Sequence, residues 1–413
     1  MYLTTVEEHM LQGKFGSAVQ KSMQILVALG EIYDAEKMIP VSNVHMPGSS
    51  VVVAGDAGLS FVEKTAETNV PFKTYTTLNT AAIDFERWKQ LGIPEAVASK
   101  QKRLTNAYLR MGAVDCHTCT PYLVGNIPRM GEHVAWGESS AIAFLNSVIG
   151  ARTNREGGPS ALASALTGRT PFYGLHKDEN RRGKKRINVT AELRDITDYG
   201  TLGYFVGSIC GTEIPVFVGM PQNPTLDQLK MLGAALASSG GVALYHIVGV
   251  TPEAKTEANA FQGEPSETLQ FGPTELDKTR DKLSKATDDN VDIVCLGCPH
   301  ASILEIREIA EYFNAQKVHH DIKMWICTSQ PVKAMADRLG YTRIIEKAGG
   351  VVACDTCPVL APTKEIVKIL GYKTIVTNSA KLAHYATGQC NLLPHYGDAK
   401  TCLSTAVNGR WKR

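Results

Sequence analysis

The sequence has no uninterrupted apolar run of the roughly 18 residues that a membrane helix needs. It has little net charge, +2 over 413 residues, too small a surplus to favour nucleic acid or a membrane surface. Neither G-x-G-x-x-G nor G-x-x-x-x-G-K-S/T occurs, so dinucleotide and P-loop readings lose their main support. The opening stretch, MYLTTVEEHMLQGKFG, lacks a basic segment followed by an apolar one. No secretory leader is expected, and a cytoplasmic location follows.

What is present is ordinary globular material, 44% apolar and 20% charged. The length fits two or three domains, or one large α/β body. Residues 5–36 read as helix, with Met10, Leu11, Val19, Met23, Ile25 and Leu26 at three- and four-residue spacing and a capping box from Thr5 to Glu8. VVVAGDAGLSFVEKTAE (51–67) reads as a strand, a glycine turn and a helix, and TYTTLNT (74–80) as a short strand. Residues 94–112 predict a helix that starts at a proline. RRGKKR (181–186) reads as a solvated basic loop. Residues 251–290 are polar and weakly periodic, which predicts a linker or surface excursion between two halves.

After residue 290 the rhythm changes. VDIVCLGCPH, MWICTSQ, VVACDTCP and TIVTNSAK each read as a strand followed by a helix. Four such units in a row predict a parallel sheet with right-handed crossovers. Ligands bind at the carboxyl ends of such strands. Cys298, Thr328, Cys357 and Ser379 all fall at those ends.

Ten cysteines in a cytosolic chain of this length are not a disulfide framework. Six form C-x-x-C pairs: Cys116 with Cys119, Cys295 with Cys298, and Cys354 with Cys357. Cys210, Cys327, Cys390 and Cys402 stand alone and read as small buried apolar residues. A zinc finger or ribbon takes its ligands from pairs close in sequence. Here the first two pairs lie about 180 residues apart and the last two about 60. Thioredoxin-like chemistry needs one pair at a helix start, not three. An iron–sulfur cluster fits better. Thiolates from distant segments hold a 4Fe-4S cube, and three of them leave one iron open as a Lewis acid. One cysteine from each pair suffices. The bland alternative is that the pairs are buried core residues. A different class remains beside it, a non-catalytic zinc or cluster-binding protein.

Five stretches then carry a resemblance: HTCTPYLVGN, GEHVAWGESSAIAFLNSVIGARTNREGGPSALASALTGRTP, LGCPHAS, DTCPV and TNSAKLAHY. Together they resemble the large subunit of aconitase X, over about residues 1 to 405. The resemblance implies an α/β, aconitase-like body of several layers with parallel βα sheets, acting as an iron–sulfur hydro-lyase. It implies Cys119, Cys298 and Cys357 as cluster ligands. Glu138 and Ser139 match a catalytic position, and Gly48, Ser49, Ser50, Asn79 and Thr80 match substrate loops. Arg152 and Arg155 offer planar donor forks beside a glycine-rich turn, and Lys381 follows a strand end. These three are the expected anion-binding residues. His117, His133, His300 and His384 lie near the motifs and are assigned no catalytic part.

Two activities are known in the family. One dehydrates (R)-5-phosphomevalonate to trans-anhydromevalonate 5-phosphate in an archaeal-type mevalonate pathway; the other dehydrates cis-3-hydroxy-L-proline. GARTNREGGPSALA is nearer the first, while HMPGSS departs from both and TTLNT lacks an expected Asn-Pro. The whole chain is expected to be one catalytic region. Within it, residues 1–250 carry the substrate loops and the first cluster cysteine, and 291–405 carry the other two. No swivelling domain follows the last βα unit, so a separate small subunit carrying it, in a heterodimer, is expected.

Overall fold

The computed structural model describes residues 1–261 and 263–412. Strand Ile293–Leu296 lies at the centre of a five-stranded, all-parallel sheet. Lys323–Thr328 and then Val351–Cys354 extend it to one side. Thr374–Thr377 and then Leu393–Tyr396 extend it to the other. The strand order therefore reverses between Ile293–Leu296 and Thr374–Thr377. The helices that leave diverging neighbours open a crevice at such a switch point. The four βα units read from the sequence are all present. The fifth strand was not predicted.

A second parallel sheet aligns Tyr75–Leu78, Asn43–Met46 and Ala135–Trp136. The two sheets share one core: Val44, Leu78 and Leu104 pack in the same buried cluster as Ile293, Cys295 and Ile375. A backbone bridge joins them, with Ala81 N–H donating to Asp355 O at 2.7 Å. A third parallel sheet aligns His246–Ile247, Pro215–Val218, Lys185–Val189 and Glu267–Phe271 over its own core around Leu202, Phe217 and Leu232. Among the described residues, no helix is long and apolar enough to cross a membrane.

Several elements differ from expectation. The first helix is two, Thr5–Leu11 and Ser17–Ile32, split at Gly-Lys-Phe-Gly. Its capping box sits one residue earlier, from Thr4 to Glu7: Thr4 N–H donates to Glu7 Oε2 at 2.9 Å. The valine run 51–53 is not a strand but the start of helix Val51–Glu67, which kinks at Gly55 (φ 63°). β-Branched residues disfavour helix only weakly. Topology decides instead, because parallel strands Asn43–Met46 and Tyr75–Leu78 require a crossover between them. That helix is the crossover.

The basic run is not a solvated loop. Arg181 is 1% exposed, ion-paired with Glu253 and donating to the carbonyls of Asn146, Ala151 and Leu175. Lys185 and Arg186 open a strand and pair with Glu267 and Glu257. The polar stretch 251–290 contributes strand Glu267–Phe271, paired in parallel with Lys185–Val189, and helix Pro273–Leu283.

Candidate active site

The two sheets that share a core aim their strand ends at one place. Asn43–Met46 leads to Gly48 and Ser50, Tyr75–Leu78 to Asn79 and Thr80, and Ala135–Trp136 to Glu138 and Ser139. From the other sheet, Ile293–Leu296 leads to Cys298, Val351–Cys354 to Cys357, and Thr374–Thr377 to Lys381. Cys119 arrives on an irregular segment tied to the sheet by Thr118 N–H donating to Leu78 O at 2.9 Å. All of these line one cavity of about 580 Å³.

Close backbone contact places Cys298. Gly297 has φ 90°, and a Cβ there would lie 2.1 Å from the Cys327 carbonyl oxygen. Only glycine lets this strand end pass its neighbour so closely. Gln101, wholly buried, fixes the opposite wall. Its Oε1 accepts from Val51 and Ala82 N–H at 2.9 and 3.0 Å, and its Nε2 donates to Ser49 O at 2.8 Å.

Not every expected residue faces the cavity. Ser49 is buried behind it, with its hydroxyl donating to Asn79 O at 2.6 Å. Arg152 lies off the cavity wall, paired with Asp178 and donating to His176 O at 3.2 Å. Arg155 is also off it, exposed and donating to Gly241 O at 3.3 Å. The glycine-rich turn beside them packs against a strand end, with Glu156 N–H donating to Trp136 O at 3.0 Å, but its residues are absent from the cavity wall. Tyr385 and Gln389 line the cavity without having been singled out. Tyr385 sits one helical turn beyond Lys381, on a face that this spacing could have indicated.

Glu138 and Lys381 form the charged centre. Both are more than nine-tenths buried. Lys381 Nζ donates to Glu138 Oε1 at 2.7 Å and to Ser140 Oγ at 3.1 Å. Glu138 caps the helix Ser139–Phe144 and also accepts from Ala141 N–H at 2.7 Å and Ser140 Oγ at 2.6 Å. Burial opposes its charge, but the Lys381 ammonium and these hydrogen bonds hold its carboxyl below the usual value. Burial likewise opposes the ammonium, and Glu138 with the nearby thiols outweighs it, so Lys381 stays charged.

All ten cysteines are free and buried. Burial pushes the thiols of Cys119 and Cys298 well up. It pushes Cys357 up to about 11. Cys298 is raised further by its neighbours Cys357 and Cys119. Three thiols so placed cannot all ionise unless a cationic group shares their charge. Zinc–sulfur bonds near 2.3 Å would bring sulfurs on one ion within about 4.6 Å of each other. Among the described residues, only His319, His320 and Asp321 bring three donor atoms within 4.8 Å of one another. Cys119, Cys298 and Cys357 are not such a set. Three soft sulfurs on one cavity are a donor set suited to a metal group. Cys116, Cys295 and Cys354 are absent from the cavity wall, and Cys295 Sγ instead sits 4.0 Å from Cys327 Sγ in the core.

Fold and cavity together define a class, an α/β enzyme whose chemistry sits where parallel strands end. Models of the aconitase X first, second and third domains match residues 1–179, 183–281 and 291–408. The chain is 48% identical to the phosphomevalonate dehydratase large subunit of Methanothermobacter thermautotrophicus, over 96% of this chain and 97% of that one. It is 35% identical to the cis-3-hydroxy-L-proline dehydratase of Pseudomonas aeruginosa, over 99% of this chain and 70% of that one. The crystal structure of Thermococcus kodakaraensis aconitase X in its holo-form superposes with a TM-score of 0.89 at 39% identity, covering 98% of this chain and 100% of that one. The chain belongs to the aconitase X family, and its named relatives are dehydratases.

Proposed function

We propose that this chain is the large subunit of an iron–sulfur hydro-lyase that dehydrates (R)-5-phosphomevalonate to trans-anhydromevalonate 5-phosphate. The observation that carries this reading is the convergence of three buried thiols and the Glu138–Lys381 pair on one cavity. The near-complete match to relatives named phosphomevalonate dehydratase large subunit supports the substrate.

Cys119, Cys298 and Cys357 would hold the cluster. Bound there, it would supply an open iron as the Lewis acid that makes hydroxide a better leaving group. The remaining steps fall to the chain's own groups. The elimination breaks a C–H bond beside the carboxylate and a C–O bond on the next carbon, forms a C=C bond and releases water. Charge develops on the carboxylate as the proton leaves, so a fixed cation there lowers the barrier. Lys381 has three N–H donors, and Glu138 and Ser140 take two. The third is assigned to the substrate carboxylate. Glu138 orients this lysine, and Ser139 with the loops at Gly48, Ser50, Asn79 and Thr80 offers polar contacts to substrate oxygens.

Glu138 already accepts from Lys381, Ser140, Ala141 and, at 3.5 Å, the Ser139 hydroxyl, so the proton-abstracting base is assigned to a partner. The phosphate, too, falls to the cavity mouth and the partner, because Lys381 is the one cation among the described lining residues. A separate small subunit, as the relatives' name "large subunit" suggests, would supply both. A second reading has cis-3-hydroxy-L-proline as substrate. Glu138 favours it as a carboxylate able to meet a substrate amine, but Lys381 already neutralises that charge.

The test offers both substrates to the anaerobically purified chain, with and without a candidate small subunit. The expected result is turnover of mevalonate 5-phosphate only in the two-chain mixture. Full turnover by this chain alone overturns the partner assignment, and turnover of the hydroxyproline alone overturns the substrate.

A further inference from the structure

One side chain meets all three of the cysteine segments that face the cavity. His300 lies two residues after Cys298 and is wholly buried. Its backbone N–H donates to Cys119 Sγ at 3.2 Å. Its ring Nδ1 lies 3.2 Å from the Thr118 hydroxyl, the residue before Cys119. Its ring Nε2 lies 3.1 Å from the carbonyl oxygen of Thr356, the residue before Cys357. A carbonyl oxygen only accepts, so Nε2 carries the ring proton and Nδ1 accepts from Thr118. Thr118 Oγ1 in turn accepts from Thr120 N–H at 3.0 Å. The backbone carbonyl of His300 is also held. It accepts from Lys230 Nζ at 3.4 Å, and buried Lys230 is ion-paired with Asp227 at 2.9 Å and with Glu305.

The regular structure ends before these contacts begin. Strand Ile293–Leu296 stops short of Cys298, Val351–Cys354 stops short of Cys357, and Cys119 follows no strand. The nearest backbone bridges, Leu78 with His117 and Ala81 with Thr356, reach residues before Cys119 and Cys357 but not the cysteines themselves. A neutral imidazole with one donor and one acceptor joins two of these loops from a position on the third.

We infer that His300 is the positioning residue that fixes the spacing of Cys119, Cys298 and Cys357 for the cluster. Its backbone N–H also meets the Cys119 sulfur, a contact that stabilises negative charge there and tunes a cluster's potential. The inference rests on the cluster reading proposed above.

The test reconstitutes wild type, His300→Ala, His300→Gln and Thr118→Val under anaerobic conditions. It reads iron and sulfide per chain, then the rate at which the chromophore bleaches in air. All are measured at a temperature where circular dichroism finds each metal-free chain folded. Removing an outer-shell partner of a metal ligand costs about 10–100-fold in metal affinity. His300→Ala is therefore expected to lose its cluster about 10–100-fold faster than wild type. Thr118→Val, which removes only the hydroxyl, should move the same way by less. His300→Gln, which keeps a donor for Thr356, should recover part of the loss. If His300→Ala does not fold, the other two variants decide the matter by the same rates. A wild type that loads iron while the folded variants bleach at its rate overturns this inference alone. A wild type that binds no iron overturns the cluster reading and this inference with it.

Discussion

Lys381→Met is expected to cut kcat of the two-chain enzyme by at least about a hundredfold, the scale for losing one donor to developing charge. The same substitution should lower folding stability by about 3–5 kcal/mol, because Glu138 is left buried without its partner. Adding Glu138→Gln removes the stranded charge. The double variant should regain most of the stability and none of the activity, so the two effects separate in a double-mutant cycle. Steady-state kinetics and denaturant unfolding check both. Lys381→Met with wild-type kcat would remove this residue from the reaction, and unchanged stability would contradict the buried pair.

Stability should also fall steeply in mild acid. Burial is the main cause that holds three histidines neutral, depressing His45 and His117 to about 4 and His176 to about 3. In the unfolded chain each titrates near 6.5. The unfolded state therefore binds protons that the folded state refuses, and acidification favours unfolding. This contribution to stability is complete above about pH 6.5 and is lost as the pH falls from there towards 4. Each group weakens the fold by about 1.4 kcal/mol per pH unit inside that window. Between pH 7.5 and 5.5 the three together remove about 4 kcal/mol, a large share of the net stability of a typical protein. Thermal unfolding across that range should show a falling Tm. A flat Tm would mean that these rings take up protons inside the fold.

The C-terminal sheet was legible in the sequence because each of its first four strands is a largely apolar run followed within three residues by a cysteine or serine. Leu393–Tyr396 escaped because Pro394 and His395 break its apolar run. The structure puts it at the sheet edge, paired on one side only, where a proline is tolerated. The cysteine pairs told where a site would lie, and resemblance told which member of each pair faces it. Arg152 and Arg155 lie off the cavity wall for a physical reason. A guanidinium beside a glycine turn looks free in sequence, while its true partners, Asp178 and the carbonyls of His176 and Gly241, lie far along the chain. The Glu138–Lys381 pair spans 243 residues, and no local pattern announces a contact of that range. Arg181 shows the same limit, since a basic run carries no mark of which of its charges will be buried.

The most direct measurement is iron and acid-labile sulfide per chain, with the visible spectrum, on anaerobically isolated wild type and six single Cys→Ser variants. Cys119→Ser, Cys298→Ser and Cys357→Ser should lose the chromophore and most of the iron. Cys116→Ser, Cys295→Ser and Cys354→Ser, which alter the other member of each pair, should keep both. A colourless wild type, or cluster loss confined to the second set, would contradict the assignment of Cys119, Cys298 and Cys357 to a cluster at the head of this cavity.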